Sequence, residues 1–190
     1  SVREYSALIK PTQNIPVLSY LALGGKCTAC KAPISARYPV VEALTALLWV
    51  LCGLQFGVSN ALAGAMLLTA VLVVLTAIDL DHQLLPDSLT LPLVWVGLLL
   101  NIDNTFVSLE SAVLGAAFGY LCLWAVFWLF KIATGKEGMG HGDFKLLAAL
   151  GAWFGLAALP TIVLLSSAVG AFLGGALIVP GQQDLSLIHI

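Results

Sequence analysis

The chain has 190 residues, of which 60% are hydrophobic and only 9% charged, with a mean hydropathy of +1.01. A soluble domain carries about 45–50% apolar and about 25% charged residues, so an aqueous globular fold is excluded and lipid must be the main solvent. The net charge of −2 comes with no basic patch, which leaves no footprint for nucleic acid.

Taken in chain order, residues 1–37 form a polar, cysteine-containing stretch. No signal peptide is read, because the first apolar run of spanning length starts near Tyr38. A helical span needs roughly 20 apolar residues. Six runs follow, at 38–56, 60–80, 84–101, 109–133, 142–159 and 161–179. The third is short and holds Pro86 and Pro92, which predicts a tilted or kinked span. The fourth gathers Trp124, Phe127, Trp128 and Phe130 toward one interface. Pro160 is expected to separate the last two. The predicted fold is all-α: a polytopic transmembrane helix bundle of about six segments. It divides into an extramembrane region at 1–37, a membrane domain at 38–180 and a short tail at 181–190.

Charge placement tests this count. If the runs alternate across the bilayer, all eight Lys and Arg residues (Arg3, Lys10, Lys26, Lys31, Arg37, Lys131, Lys136 and Lys145) fall on one side. The positive-inside rule makes that side cytoplasmic. Glycines and alanines are dense in the later runs, as at Gly115, Gly119, Gly151 and Gly155, and are expected to let helix backbones approach closely.

Of the ten acidic residues, most lie in termini or loops. Glu42 sits near a helix start, where the dipole favours it. Asp87, after Pro86 and before Ser88, reads as a turn and helix N-cap. Asp79 differs: it ends an almost unbroken apolar run, and an ionisable group there is costly unless it functions. Asp143 closes the run Gly138-Met-Gly-His-Gly-Asp143, at the start of another apolar run and on the same side as Asp79. Gly140 and Gly142 permit close backbone approach, and with Lys145 they are read as the loop that supports Asp143.

Two carboxylates at similar depth on one face suit peptide hydrolysis without a covalent intermediate. One, ionised, takes a proton from water while the other, protonated, polarises the scissile carbonyl. Close like charges share a proton and titrate as a unit, so either residue could take either role. A phosphate-binding loop is a poor alternative, since no strand precedes the glycine run. A cation site built from Asp79, Asp81, His82, His141 and Asp143, in a transporter or scaffold, is the alternative that remains.

These residues together resemble the type IV prepilin peptidases, the leader peptidases of type IV pilus and type II secretion systems. The resemblance runs through Asn14-Ile-Pro-Val-Leu-Ser-Tyr20, Gly24-Gly-Lys-Cys-Thr-Ala-Cys30 and Arg37-Tyr-Pro-Val-Val-Glu42. It continues through Ile78-Asp-Leu-Asp-His-Gln-Leu-Leu-Pro-Asp87 and Thr134-Gly-Lys-Glu-Gly-Met-Gly-His-Gly-Asp-Phe-Lys145. It implies an inner-membrane aspartyl protease of the GxGD class whose catalytic pair falls on Asp79 and Asp143. The implied substrates are prepilins and pseudopilins, cut on the cytoplasmic side between a Gly ending a short basic leader and the hydrophobic segment beyond it. Presenilin-like proteases share GxGD, but the Pro-Ala-Leu motif is not found near the C-terminus, so they match less well.

Many members of the resembled family also methylate the new N-terminus with S-adenosylmethionine, an activity linked to an N-terminal region where two CxxC pairs can hold zinc. Here Cys27 and Cys30 supply the second pair, whereas Val2 and Tyr5 stand near where the first should be. Tetrahedral structural zinc needs four ligands, so zinc is not expected, and a Cys27–Cys30 disulfide is not expected in a reducing compartment. Cys52 and Cys122 read as small buried apolar residues. Peptidase chemistry requires no cofactor; S-adenosylmethionine would be needed only for methylation. The family's usual anchor before the cysteine region, and its membrane sequence beyond the last run, lead us to expect a longer parent chain.

Overall fold

The computed structural model describes residues 17–27, 31–135 and 140–178, with residues 18 and 173–178 described by backbone alone. Among these, the regular structure is helical. The helices are α1 (Leu18–Ala22), α2 (Arg37–Phe56), α3 (Asn60–His82), α4 (Asp87–Leu100), α5 (Leu109–Thr134), α6 (His141–Phe154) and α7 (Leu159–Ile178). A single antiparallel bridge joins Lys26 to Pro33 in the segment between α1 and α2. The expected tail at 181–190 lies outside the described residues, as do residues 1–16 and Cys30.

Local chemistry sets the helix ends. Ser59 and Ser108 cap α3 and α5, their hydroxyls accepting from the backbone N–H of Leu62 at 3.2 Å and Ser111 at 3.3 Å. Gln83, in the left-handed region at φ 49°, ends α3 and donates its N–H to the Asp79 carbonyl at 2.8 Å. Pro86 occupies the N-cap of α4, and Pro92 lies within that helix as expected. The break between α6 and α7 falls at Gly155 (φ 76°) rather than at Pro160, which sits in the first turn of α7. Proline is well tolerated there because the first-turn N–H has no intrahelical partner.

Among the described residues, three helices are long and apolar enough to cross a membrane: α2 with 20 residues, α3 with 23 and α5 with 26. The sequence runs at 84–101 and 142–159 yield shorter helices than their apolar lengths suggest. At 14 residues each, α4 and α6 rise only about 21 Å. The hydrocarbon core is about 30 Å thick, so neither reaches across it alone.

The two short helices pack between the long ones. Along α5 and α6, Gly115 faces Gly151, and Gly119 faces Leu147. A Cβ on Gly115 or Gly151 would overlap the other's carbonyl oxygen, and one on Gly119 would lie 2.7 Å from the Leu147 carbonyl. Only glycine permits this approach, as the small-residue pattern predicts for helices in lipid. On the other side of α6, Trp153 is fully buried among Leu68 of α3, Leu93 of α4 and Ala149. Its indole N–H donates to the Leu93 carbonyl at 2.8 Å.

A polar knot closes the same end. The buried Asn101 side chain donates to the carbonyls of Ala152 (2.9 Å) and Trp153 (3.3 Å) and accepts from the N–H groups of Phe106 (3.0 Å) and Val107 (3.1 Å). It ties the end of α6 to the α4–α5 connection. Asn101→Ala strands two half-buried N–H groups and should cost about 1–3 kcal/mol, seen as a lower melting temperature in detergent.

The antiparallel α5–α6 register fixes the depth of the opposite end. Phe127 stacks on His141, the first residue of α6, with ring centroids 5.1 Å apart. From that level α5 runs on to Thr134, a further seven residues or about 10 Å. The start of α6 is therefore recessed below the end of α5.

Candidate active site

Asp79 lies in the last turn of α3 and Asp143 in the first turn of α6, at the same end of the bundle. Antiparallel packing produces this: α3 runs toward that end and α6 runs away from it. Both side chains open to the surface. Asp79 is close enough for its charge to act on the Asp143 carboxyl.

The neighbouring charges are sorted around this pair. Arg37, the first residue of α2, forms an ion pair with Asp81, and its second guanidinium nitrogen donates to the Ala77 carbonyl at 2.7 Å. Lys145 donates to both Asp87 oxygens at 2.6 Å. Glu42 accepts from the Val17 N–H at 2.7 Å. Asp81 and Asp87 are thus each neutralised by a cation. Among the described residues, neither the Asp79 nor the Asp143 carboxyl has an ion-pair or hydrogen-bond partner, so both remain available to water and to one another.

The glycine run divides in function. Gly140 is the N-cap of α6, and a Cβ there would meet, among the described residues, only the Asp143 carboxyl at 4.0 Å. Gly142 is within the helix, where a Cβ would lie 2.8 Å from the Leu85 Cβ. That contact presses the start of α6 against the segment leaving α3, and it is this close approach that requires glycine. Gly142 and Lys145 were expected in a loop; they belong instead to the first turns of α6. The apolar run from Leu146 onward carries helix back through them to His141. Gly138 lies outside the described residues.

Asp87 also departs from expectation. Pro86 takes the N-cap and the Asp87 carboxylate makes no cap hydrogen bond, because Lys145 holds it. Sequence reading assigned Asp87 a purely local role; the signal for its partner was an opposite charge on another element at the same end.

The alternative cation site is not assembled. Asp81 is taken by Arg37, and His141 lies against Phe127 and Phe144, with centroids 5.1 and 5.5 Å away. Among the described residues, no three His, Cys, Asp or Glu side chains converge to hold a metal ion. Beside His141, the Lys131 ammonium sits 5.5 Å from the ring centroids of both Phe127 and Trp128, a cation–π arrangement.

Comparison with known proteins agrees with this architecture. The profile of the Type IV leader peptidase family matches residues 66–175, and that of the Bacterial Peptidase A24 N-terminal domain matches residues 4–56. Among curated relatives, the prepilin leader peptidase/N-methyltransferase of Aeromonas hydrophila is 61% identical over 170 residues, 90% of this chain and 59% of its own. Those of Pseudomonas aeruginosa and Neisseria gonorrhoeae are 59% and 54% identical, covering 87% and 85% of this chain and 57% of each relative. The chain thus spans somewhat more than half the length of the relatives it matches. No solved structure gives a significant match. The matched region contains both carboxylates and the helices that hold them, and the chain belongs to the type IV leader peptidase family.

Proposed function

We propose that this chain is a membrane aspartyl endopeptidase that removes the basic leader from type IV prepilins or pseudopilins. Asp79 and Asp143 are its catalytic pair. The observation that carries the reading is the charge sorting: among the described residues, two carboxylates are left without a cation beside two that each have one. A water held between them loses a proton to one carboxylate as it attacks the scissile carbonyl, and the other, protonated, hydrogen-bonds the carbonyl oxygen. The tetrahedral intermediate then collapses, with a proton passed to the leaving amine. The exposure of both carboxyls lets water reach this site. Lys26, Lys31, Arg37, Lys131 and Lys145 all lie at that end of the bundle or in the segment leading to it. This supports a cytoplasmic site in a bacterial inner membrane.

Hydrolysis of this kind needs no cofactor. The names of the relatives also carry N-methyltransferase, which our proposal does not extend to this chain. A zinc site does not fit the donor set: Cys27 and Cys30 offer two thiols, and Val2 and Tyr5 supply none where the first pair would stand.

The test is cleavage in membranes of a synthetic precursor with a basic leader, a Gly and a hydrophobic segment. Mass spectrometry should find a single cut after that Gly. An intact precursor in the presence of inserted, folded chain would overturn the reading.

A further inference from the structure

We propose that Lys145 and Asp87 form a tether that sets the position of Asp143 relative to Asp79, acting as positioning residues for the reaction. The inference rests on the reading of those two aspartates as the reacting carboxyls.

The two carboxyls sit on different helices, and only a short stretch of chain links one helix to the partner of the other. After Asp79, α3 ends at His82 and residues 83–86 lead directly to Asp87, the first residue of α4. That segment touches α6 at two points. The first is Leu85 against Gly142, a contact so close that no Cβ fits. The second is Asp87 against Lys145, with the ammonium 2.6 Å from both carboxylate oxygens. Gly142 and Lys145 are three residues apart and so lie on one helix face. The linking segment therefore follows that face, and Asp143 lies within the clamped turn. Any slide or rotation of α6 against the exit of α3 must break one contact or the other.

The pair's surroundings suit this task better than a stabilising one. The Lys145 side chain is 24% exposed and that of Asp87 55%. Lys145 lines an apolar groove together with Leu91, Trp95 and Tyr120. Ion pairs this open contribute little to folding. Catalysis is far more sensitive to placement, since an error of about 1 Å can cost about 100-fold in rate.

Lys145→Met and Asp87→Asn should each lower kcat for the synthetic precursor by about 100-fold while leaving KM and melting temperature little changed. Lys145→Arg should keep most of the rate, because a guanidinium also satisfies a carboxylate through paired hydrogen bonds. The exchanged pair, Asp87→Lys with Lys145→Asp, should recover much of what either single change loses. Full kcat in either single variant overturns the tether. So does an exchanged pair that keeps its melting temperature yet cleaves no faster than the singles.

A second readout does not depend on activity. Cysteines replace Asp79 and Asp143 in a chain whose own four cysteines are serine. Oxidative cross-linking between the two positions should slow markedly when Lys145→Met is added. An unchanged cross-linking rate overturns the tether even if the precursor is never cleaved. A slowed rate with no cleavage by the unaltered chain leaves the tether standing and removes the peptidase reading instead.

Discussion

Asp79→Asn and Asp143→Asn are each expected to lower the cleavage rate by about 1,000-fold or more, with the protein still inserted and helical. The magnitude follows from the division of labour: each carboxyl handles a proton in the transition state, and a positioned acid or base contributes about 10²–10⁴-fold. Because the two act on one water as a unit, the double variant should be little worse than either single one. Asparagine keeps the shape and loses the proton chemistry. Neither side chain holds the bundle together by an ion pair or hydrogen bond, so melting temperature should barely move. The neighbouring acids provide the control. Asp81→Asn breaks the link to Arg37, yet leaves the two reacting groups in place and should retain much of the rate. A chain in which Asp81→Asn proved as damaging as Asp79→Asn would show that the sorting of charges has been misread.

The two glycines flanking His141 should behave very differently. Gly142→Ala places a methyl group 2.8 Å from the Leu85 Cβ, a separation that real Cβ atoms do not adopt. Either α6 or the segment after α3 must move, and that movement separates the elements that carry Asp143 and Asp79. A shift near 1 Å predicts a fall in kcat of about 100-fold. Since the clash is with a Cβ, Leu85→Ala cannot relieve it, whereas Leu85→Gly in the same chain should restore part of the rate. Among the described residues, Gly140→Ala meets only the Asp143 carboxyl, at an ordinary 4.0 Å, and its backbone (φ −75°) suits any residue. It should cost little. Steady-state kinetics on the four variants checks the whole set. Equal loss at Gly140 and Gly142 would mean that loop flexibility, rather than close approach, is what the run supplies.

The helices were legible because the sequence writes them in long apolar runs ended by serine caps and polar turns. Residues 60–80 and 109–133 became α3 and α5 with little change at their ends. What could not be read was how far α4 and α6 fall short of the bilayer thickness. Apolar length counts the residues of the turns at 84–86 and 155–158 with the helix, although Gly155 breaks the helix by its backbone angle. The recess follows from that shortening and from the α5–α6 register, which depends on the approach of Gly115 to Gly151, 36 residues away, and of Gly119 to Leu147.

At the site, Asp79 and Asp143 stood out because an acid at the edge of an apolar run is expensive. The partnership of Asp87 with Lys145 did not, since Asp87 has an adequate local reading as a turn before a helix and Lys145 was read only as part of the loop supporting Asp143. Their pairing is a tertiary fact, created when α4 and α6 start side by side. The same holds for Arg37 and Asp81, 44 residues apart on helices that a sequence can only suggest are neighbours.

The central claim is that Asp79 and Asp143 act on one water. The most direct measurement is their carboxyl separation in an experimental structure with an uncleavable precursor peptide bound. The expected separation is within about 7 Å, with one water or the peptide carbonyl between them. Carboxyls held farther apart than that around a bound peptide would contradict it.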